Sequence, residues 1–328
     1  MLLQDLKRKE YAWLSLITLL GAALRFHNIT LKSLWFDEAV VYWISQGTIG
    51  QVVKQNAGRN SSPFLHVLLL NIATKFSDSE LLLRGISAVA GILTIPLIYW
   101  LARQFLSRDS ALAVALIAAI SKAQVQYSQQ LREYSIAFLL AIAILITFHL
   151  YQKKSTKIHW LSLVAVWTLS VTVQYGLSVL IVALNLIFLL NWVLAKEEIK
   201  QILYWAAGQL FVLGAMFVVY YFALRHQLQI GFGASAVNSY LQSAYWDGTL
   251  AGFARLLFIN TFDILEFSFP FGFGRPWVSF LFIGFIFAGI YAAVRQKKSQ
   301  LLMILVTPLM LTFTLAIARL YPYHGERQ

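Results

Sequence analysis

The sequence predicts an all-α polytopic membrane protein, and three observations predict it. Of 328 residues, 59% are hydrophobic and only 12% are charged, with a mean hydropathy of +0.68. A soluble domain of this length cannot hide that much apolar surface. The apolar runs have helix length and lack the alternating segments of roughly ten residues that mark an outer-membrane barrel. The basic residues behind the net charge of +12 cluster in short loops between these runs. That pattern orients helices in an anionic membrane and gives no reason to expect nucleic acid as a partner. With no cysteine in the chain, disulfides and thiolate metal sites are excluded.

About nine transmembrane helices are expected, at 11–26, 82–101, 110–123, 134–151, 158–174, 177–194, 201–224, 277–294 and 300–319. The first follows Lys7-Arg8-Lys9 like a signal peptide but has no small-residue cleavage site, so it reads as an uncleaved span. Charge decides two further stretches. Residues 63–76 are too short to span comfortably. If they crossed, Arg103/Arg108 and Lys153-Lys154 would be thrown outside; left on the surface, every short basic loop is cytoplasmic. Residues 249–269, with Arg255, Asn260, Asp263 and Glu266, would invert the remaining topology in the same way. The N-terminus is therefore expected in the cytoplasm and the C-terminus outside.

Three outer segments follow, within what reads as one transmembrane domain over 1–328. The first long loop, 27–81, should carry juxtamembrane helices near 37–46 and 49–57 and a flat helix over 63–76. A short loop covers 124–133. A long loop, 225–276, contains Gly231-Phe232-Gly233 and Phe271-Gly272-Phe273-Gly274, which would give hinge freedom to a lid. Thirteen of the 26 Lys and Arg residues lie on the outer side by this count, among them Arg25, Lys54, Arg84, Arg132, Arg225 and Arg319. Their bland purpose is headgroup contact. Their sharper purpose is to hold an anion, such as a lipid-linked phosphate, at the interface.

The residues that could carry chemistry lie in these outer segments. Asp37 and Glu38 stand in Ser33-Leu34-Trp35-Phe36-Asp37-Glu38-Ala39, just past the first span. Taken alone, Asp37 reads first as the cap of a helix beginning at Ala39, with Glu38 favouring its positive end. The functional reading makes Asp37 a general base facing a cavity at the membrane surface. The run Gln126-Tyr127-Ser128-Gln129-Gln130-Leu131-Arg132-Glu133-Tyr134 reads first as an interface anchor. Its functional reading has Arg132 gripping a phosphate through its planar fork, with Tyr134 orienting it. Arg84, one turn into the second span, reads first as a snorkelling cation. The six His residues show no metal-ligand spacing, so no metal site and no cofactor are expected.

The ordered set of motifs carries a resemblance. Arg25 and Ser33–Ala39 follow the first span. Ser62-Pro63-Phe64 opens a surface helix, Leu83-Arg84-Gly85-Ile86-Ser87 enters the second span, and Tyr127–Tyr134 precedes the fourth. The chain resembles GT-C glycosyltransferases of the protein O-mannosyltransferase and lipid A aminoarabinose transferase type, over residues 11–195 and more weakly to the end. The resemblance implies transfer of a sugar from a polyprenyl-phosphate carrier to an extracytoplasmic acceptor. It implies catalytic roles for Asp37 and Glu38 and substrate binding by Arg132, Tyr134, Arg84 and Tyr127. Two departures stand out. Ser61-Ser62-Pro63-Phe64 occupies the place where the family often has His-Pro-Pro-Leu. The C-terminal run from Tyr321 to Gln328 looks like the start of an outer motif, which leaves a truncated, inactive scaffold open as an alternative.

The expected protein is thus a multi-pass inner-membrane glycosyltransferase. Its partners are a polyprenyl-phosphate-sugar donor, an acceptor that the sequence does not name, and membrane lipids. A transporter or flippase of lipid-linked sugars is the rival reading. It should place paired ionisable residues near mid-bilayer and show repeated halves, neither of which the sequence displays.

Overall fold

A computed structural model describes residues 2–195, 199–230, 241–268 and 276–323. Every regular element among them is helical. The glycine pairs at 231–233 and 272–274, the hinges expected for a lid, lie outside the described residues, as does the end of the chain after Tyr323.

The described chain divides into two compact units, residues 1–177 with 203–231 and residues 178–202 with 232–328. In the first unit, α1 (Leu2–Phe26) is followed by three short helices, α2 (Phe36–Ser45), α3 (Ile49–Arg59) and α4 (Leu65–Thr74). These fall where the first loop was expected to carry them. Then come α5 (Glu80–Arg103), α6 (Arg108–Ile120), α7 (Lys122–Ser128), α8 (Tyr134–Lys153) and α9 (Lys157–Val171). α10 (Gly176–Ala195) passes into the second unit. α11 (Ile199–Val219) runs through a π-helical turn, Tyr220–Leu224, into α12 (Arg225–Gln229).

Among the described residues, five helices are long and apolar enough to cross a membrane: Glu80–Arg103, Tyr134–Lys153, Gly176–Leu194, Ile199–Gln229 and Ser299–Ile317. A sixth arises if α6 and α7, bent by 52° at Ser121, form one broken span. The expected count of nine is thus not confirmed among the described residues. α1 carries Lys9, Glu10 and Arg25 along its length. α9 has only 15 residues, about 22 Å at 1.5 Å per residue against a hydrocarbon core of about 30 Å. The helix Pro276–Arg295 has 20 residues and covers the expected 277–294 span.

The bend at Ser121 also revises the expected 124–133 loop, which begins as helix α7. Ser121 is extended (φ −56°, ψ 122°), and its side chain accepts from the Gln124 amide to start α7. The broken end of α6 leaves carbonyls with no helical partner. Buried Arg25 supplies it, donating to the Ala119 carbonyl at 2.9 Å and the Ala118 carbonyl at 3.2 Å. One of the outer cations is thus a cap for a helix end.

The ends of the first unit sort into two sets. At one end, Gln129 donates to the Leu24 and His27 carbonyls. The Leu65 amide reaches the Thr172 carbonyl, and Gln227 donates to the Ser62 carbonyl. At the other, Glu10 joins Tyr99 and Arg103, His149 packs on Phe105, and Tyr151 packs on Trp205. Helices α2–α4 all gather at the first end. Their shared core is Val41, Ile44, Val52, Val67 and Leu70, closed by Leu83 and Leu131. That core fixes the platform on which the acidic pair sits.

In the second unit, Leu250–Ala254 continues through a π-helical turn, Arg255–Asn260, into Thr261–Ser268. Leu256 packs with Ala316 and Tyr323, and buried Asn260 donates to the Tyr323 carbonyl at 2.7 Å.

Candidate active site

Helix α2 starts at Phe36, three residues earlier than the expected start at Ala39. The side chain that reaches back over the helix start is Glu38, whose Oε2 accepts the Trp35 amide at 3.3 Å. Asp37 is thereby released from capping. The two neighbouring carboxylates point to different partners and different environments.

Glu38 is buried and takes both ends of the Arg84 fork, Nε at 3.1 Å and Nη2 at 2.8 Å. Its Oε1 also accepts the Leu131 amide at 2.6 Å. Arg84 sends Nη1 to the Ile29 and Lys32 carbonyls and to Glu80, and Nη2 to the Ser33 carbonyl. Every guanidinium nitrogen of Arg84 is engaged in this way. A buried pair so completely hydrogen-bonded ties the first loop, the start of α5 and the 129–133 turn into one unit.

Asp37 is 39% exposed at its side chain, and its Oδ2 lies 3.3 Å from Nη1 of Arg132, whose side chain is 7% exposed. Arg132 has further support behind the half-exposed Asp37. Glu133, fully enclosed, faces its Nε at 3.4 Å. The Tyr134 hydroxyl accepts from Nη2 at 3.4 Å, and the guanidinium lies 5.3 Å from the Tyr134 ring centre. Tyr127 packs on Tyr134 with ring centres 4.8 Å apart. The backbone beneath is pinned on both sides, by Glu38 at the Leu131 amide and by Ser87 donating to the Arg132 carbonyl at 3.0 Å. Burial works against the Arg132 charge, but Glu133, Tyr134 and Asp37 outweigh it and hold the guanidinium above its ordinary range.

Two residues here escaped the sequence reading. Glu133 stands in the motif Gln126–Tyr134 with no role of its own, and His66 is not singled out. His66 is fully buried on α4, with Nδ1 4.0 Å from Glu133. Burial drives its pKa down to about 4, with Glu133 pulling it up and Arg132 pushing it down. Neither ring nitrogen has a hydrogen-bond partner. Spacing alone gave no signal for it; the pairing needs α4 to lie flat against the 129–133 turn. The place of the family's His-Pro-Pro-Leu thus has no His at 61–64, yet a His sits one turn further on.

The chain's comparison with protein families bears on this geometry. The model of the dolichyl-phosphate-mannose-protein mannosyltransferase family matches residues 61–222. Over these residues the chain is similar to that GT-C type family. The match implies a membrane glycosyltransferase. It covers His66, Arg84, Tyr127, Arg132, Glu133 and Tyr134 but begins after Asp37 and Glu38. The acidic pair is tied to the glycosyltransferase segment by structure, through Arg132 and Arg84. No curated protein matches the chain.

Chemically, the site offers a half-open carboxylate beside an enclosed, reinforced guanidinium. Among the described residues no group of three His, Asp or Glu side chains could hold a metal ion.

Proposed function

We propose that the chain transfers a sugar from a polyprenyl-phosphate donor to an acceptor hydroxyl on the extracytoplasmic side of the cell membrane. The observation that carries this reading is the Asp37–Arg132 pair: a proton acceptor and an anion holder 3.3 Å apart at one opening. In the proposed step Asp37 takes the proton of the acceptor hydroxyl as its oxygen bonds to the anomeric carbon. The bond from that carbon to the phosphate oxygen breaks, and polyprenyl phosphate leaves with the electron pair. Arg132 stabilises the charge on the departing phosphate in a poorly hydrated setting. Tyr134, with Tyr127 packed on it, keeps the guanidinium plane in place. Glu38 and Arg84 are positioning residues in this scheme, since their polar atoms are spent on one another and on the backbone.

The extracytoplasmic side follows from charge. The end of the first unit that bears Asp37 lies opposite the end with Arg103 and Lys153, which belong to short basic loops expected inside. The test is transfer of a radiolabelled sugar from polyprenyl phosphate to cell-envelope acceptors by purified protein. Loss of transfer in Asp37→Asn supports the reading.

A further inference from the structure

A groove of about 650 Å³ lies between α3 and the junction of α11 with α12. Its walls include Phe64, Tyr221 and Phe222, its cations are Lys54 and Arg225, and His226 lies beside them. Among the described residues no acidic residue lines it, and neither Asp37 nor Arg132 does. α12 is tied to the first loop beside the groove: Tyr175 donates to Gln227, and Gln227 to the Ser62 carbonyl. The Arg225 guanidinium lies 3.8 Å from the Tyr221 ring centre, while its Nε is enclosed with no hydrogen-bond partner. Among the described residues neither Lys54 nor Arg225 pairs with a carboxylate. Gly50 and Gly58 of α3 line the groove with nothing within 4 Å of where a Cβ would be. Glycine weakens a helix interior, and here two of them leave room for an occupant. The π-helical turn at Tyr220–Leu224 is the kind of helix defect that marks binding sites.

α11 and the π-helical turn after it present the exposed apolar side chains Leu210, Phe211, Leu213, Phe217 and Tyr221. From 210 to 221 this stripe runs about 17 Å, close to half of a hydrocarbon core of about 30 Å. One leaflet-length apolar strip with cations at its outer end has the shape of a phospholipid.

We propose that this groove is a binding site for a resident anionic phospholipid. Its acyl chain would lie along the α11 stripe and its phosphate among Lys54, Arg225 and His226, bracing α3 against α12. This is independent of sugar transfer.

The test is native mass spectrometry of the full chain with phosphatidylglycerol and with phosphatidylcholine. The parent should retain phosphatidylglycerol preferentially. The Lys54→Gln/Arg225→Gln variant should lose about thirtyfold in its affinity, as expected of two headgroup-level cations. Lys75→Gln, an exposed cation at the same end, should not. Gly58→Leu, which fills the groove and keeps its charge, should also lose the lipid, so misfolding of the double variant leaves the proposal testable. Equal retention of the two lipids by the parent, or undiminished phosphatidylglycerol binding in both groove variants, would overturn it. So would displacement of phosphatidylglycerol by equimolar polyprenyl phosphate, which would make the groove a donor site.

Discussion

Arg84 grips both carboxylate oxygens of Glu38, through Nε at 3.1 Å and Nη2 at 2.8 Å, with both side chains buried. This clamp is what frees the neighbouring Asp37 to face the opening. Removing Glu38 leaves buried Arg84 with only the more exposed Glu80 as an acidic partner and frees the Leu131 amide, a loss of up to about 3–5 kcal/mol. Glu38→Ala should therefore lower thermal stability sharply in detergent, more than Asp37→Ala, whose partner keeps Glu133 beside it.

Arg132 tests the fork. Lys supplies a point charge without the planar geometry that serves Asp37, Glu133 and Tyr134 together. Arg132→Lys should weaken use of the polyprenyl-phosphate donor while protein level holds. Arg319→Lys, at an exposed position after the last helix, should do less. Equal and negligible effects at both positions would leave Arg132 as an interface anchor.

His66 sets a pH dependence. Its folded pKa of about 4 lies below the ordinary value near 6.5. The unfolded chain therefore binds its proton first, and stability falls as pH drops from about 6.5 towards 4. Above that window the contribution is complete. The melting temperature of the parent should drop more between pH 7 and pH 5 than that of His66→Gln, which has no proton to gain.

Two glycines on α5 should respond in opposite directions. A Cβ at Gly91 would strike Ser128 and Arg25 Nε, whereas one at Gly85 meets nothing within 4 Å. Gly91→Ala should destabilise by about 1–3 kcal/mol through overpacking, while Gly85→Ala should gain about 0.5–1 kcal/mol. Paired melting curves check both signs.

Much of the fold could be read from hydropathy and charge. The three short helices of the first loop follow from segment length, and α4 is too short to span. What escaped depends on contacts distant in sequence. The break at Ser121 is held by Arg25 from another helix. The exchange of roles between Asp37 and Glu38 depends on Arg84 and on a helix that begins at Phe36. The enclosure of His66 and Glu133 depends on how α4 lies against the 129–133 turn. Local spacing reports which residue types are present, and only packing decides which of two adjacent carboxylates is spent on structure.

The central claim is that Asp37 is the base, and transfer by Asp37→Asn tests it most directly. The helix start is held by Glu38, so the variant should express and fold as the parent does. The measurement is the rate of sugar transfer from polyprenyl phosphate by purified parent and variant side by side. We expect a loss of at least about a hundredfold, in the range contributed by a positioned proton acceptor. Transfer at the parental rate would contradict the assignment and leave Asp37 as a surface partner of Arg132.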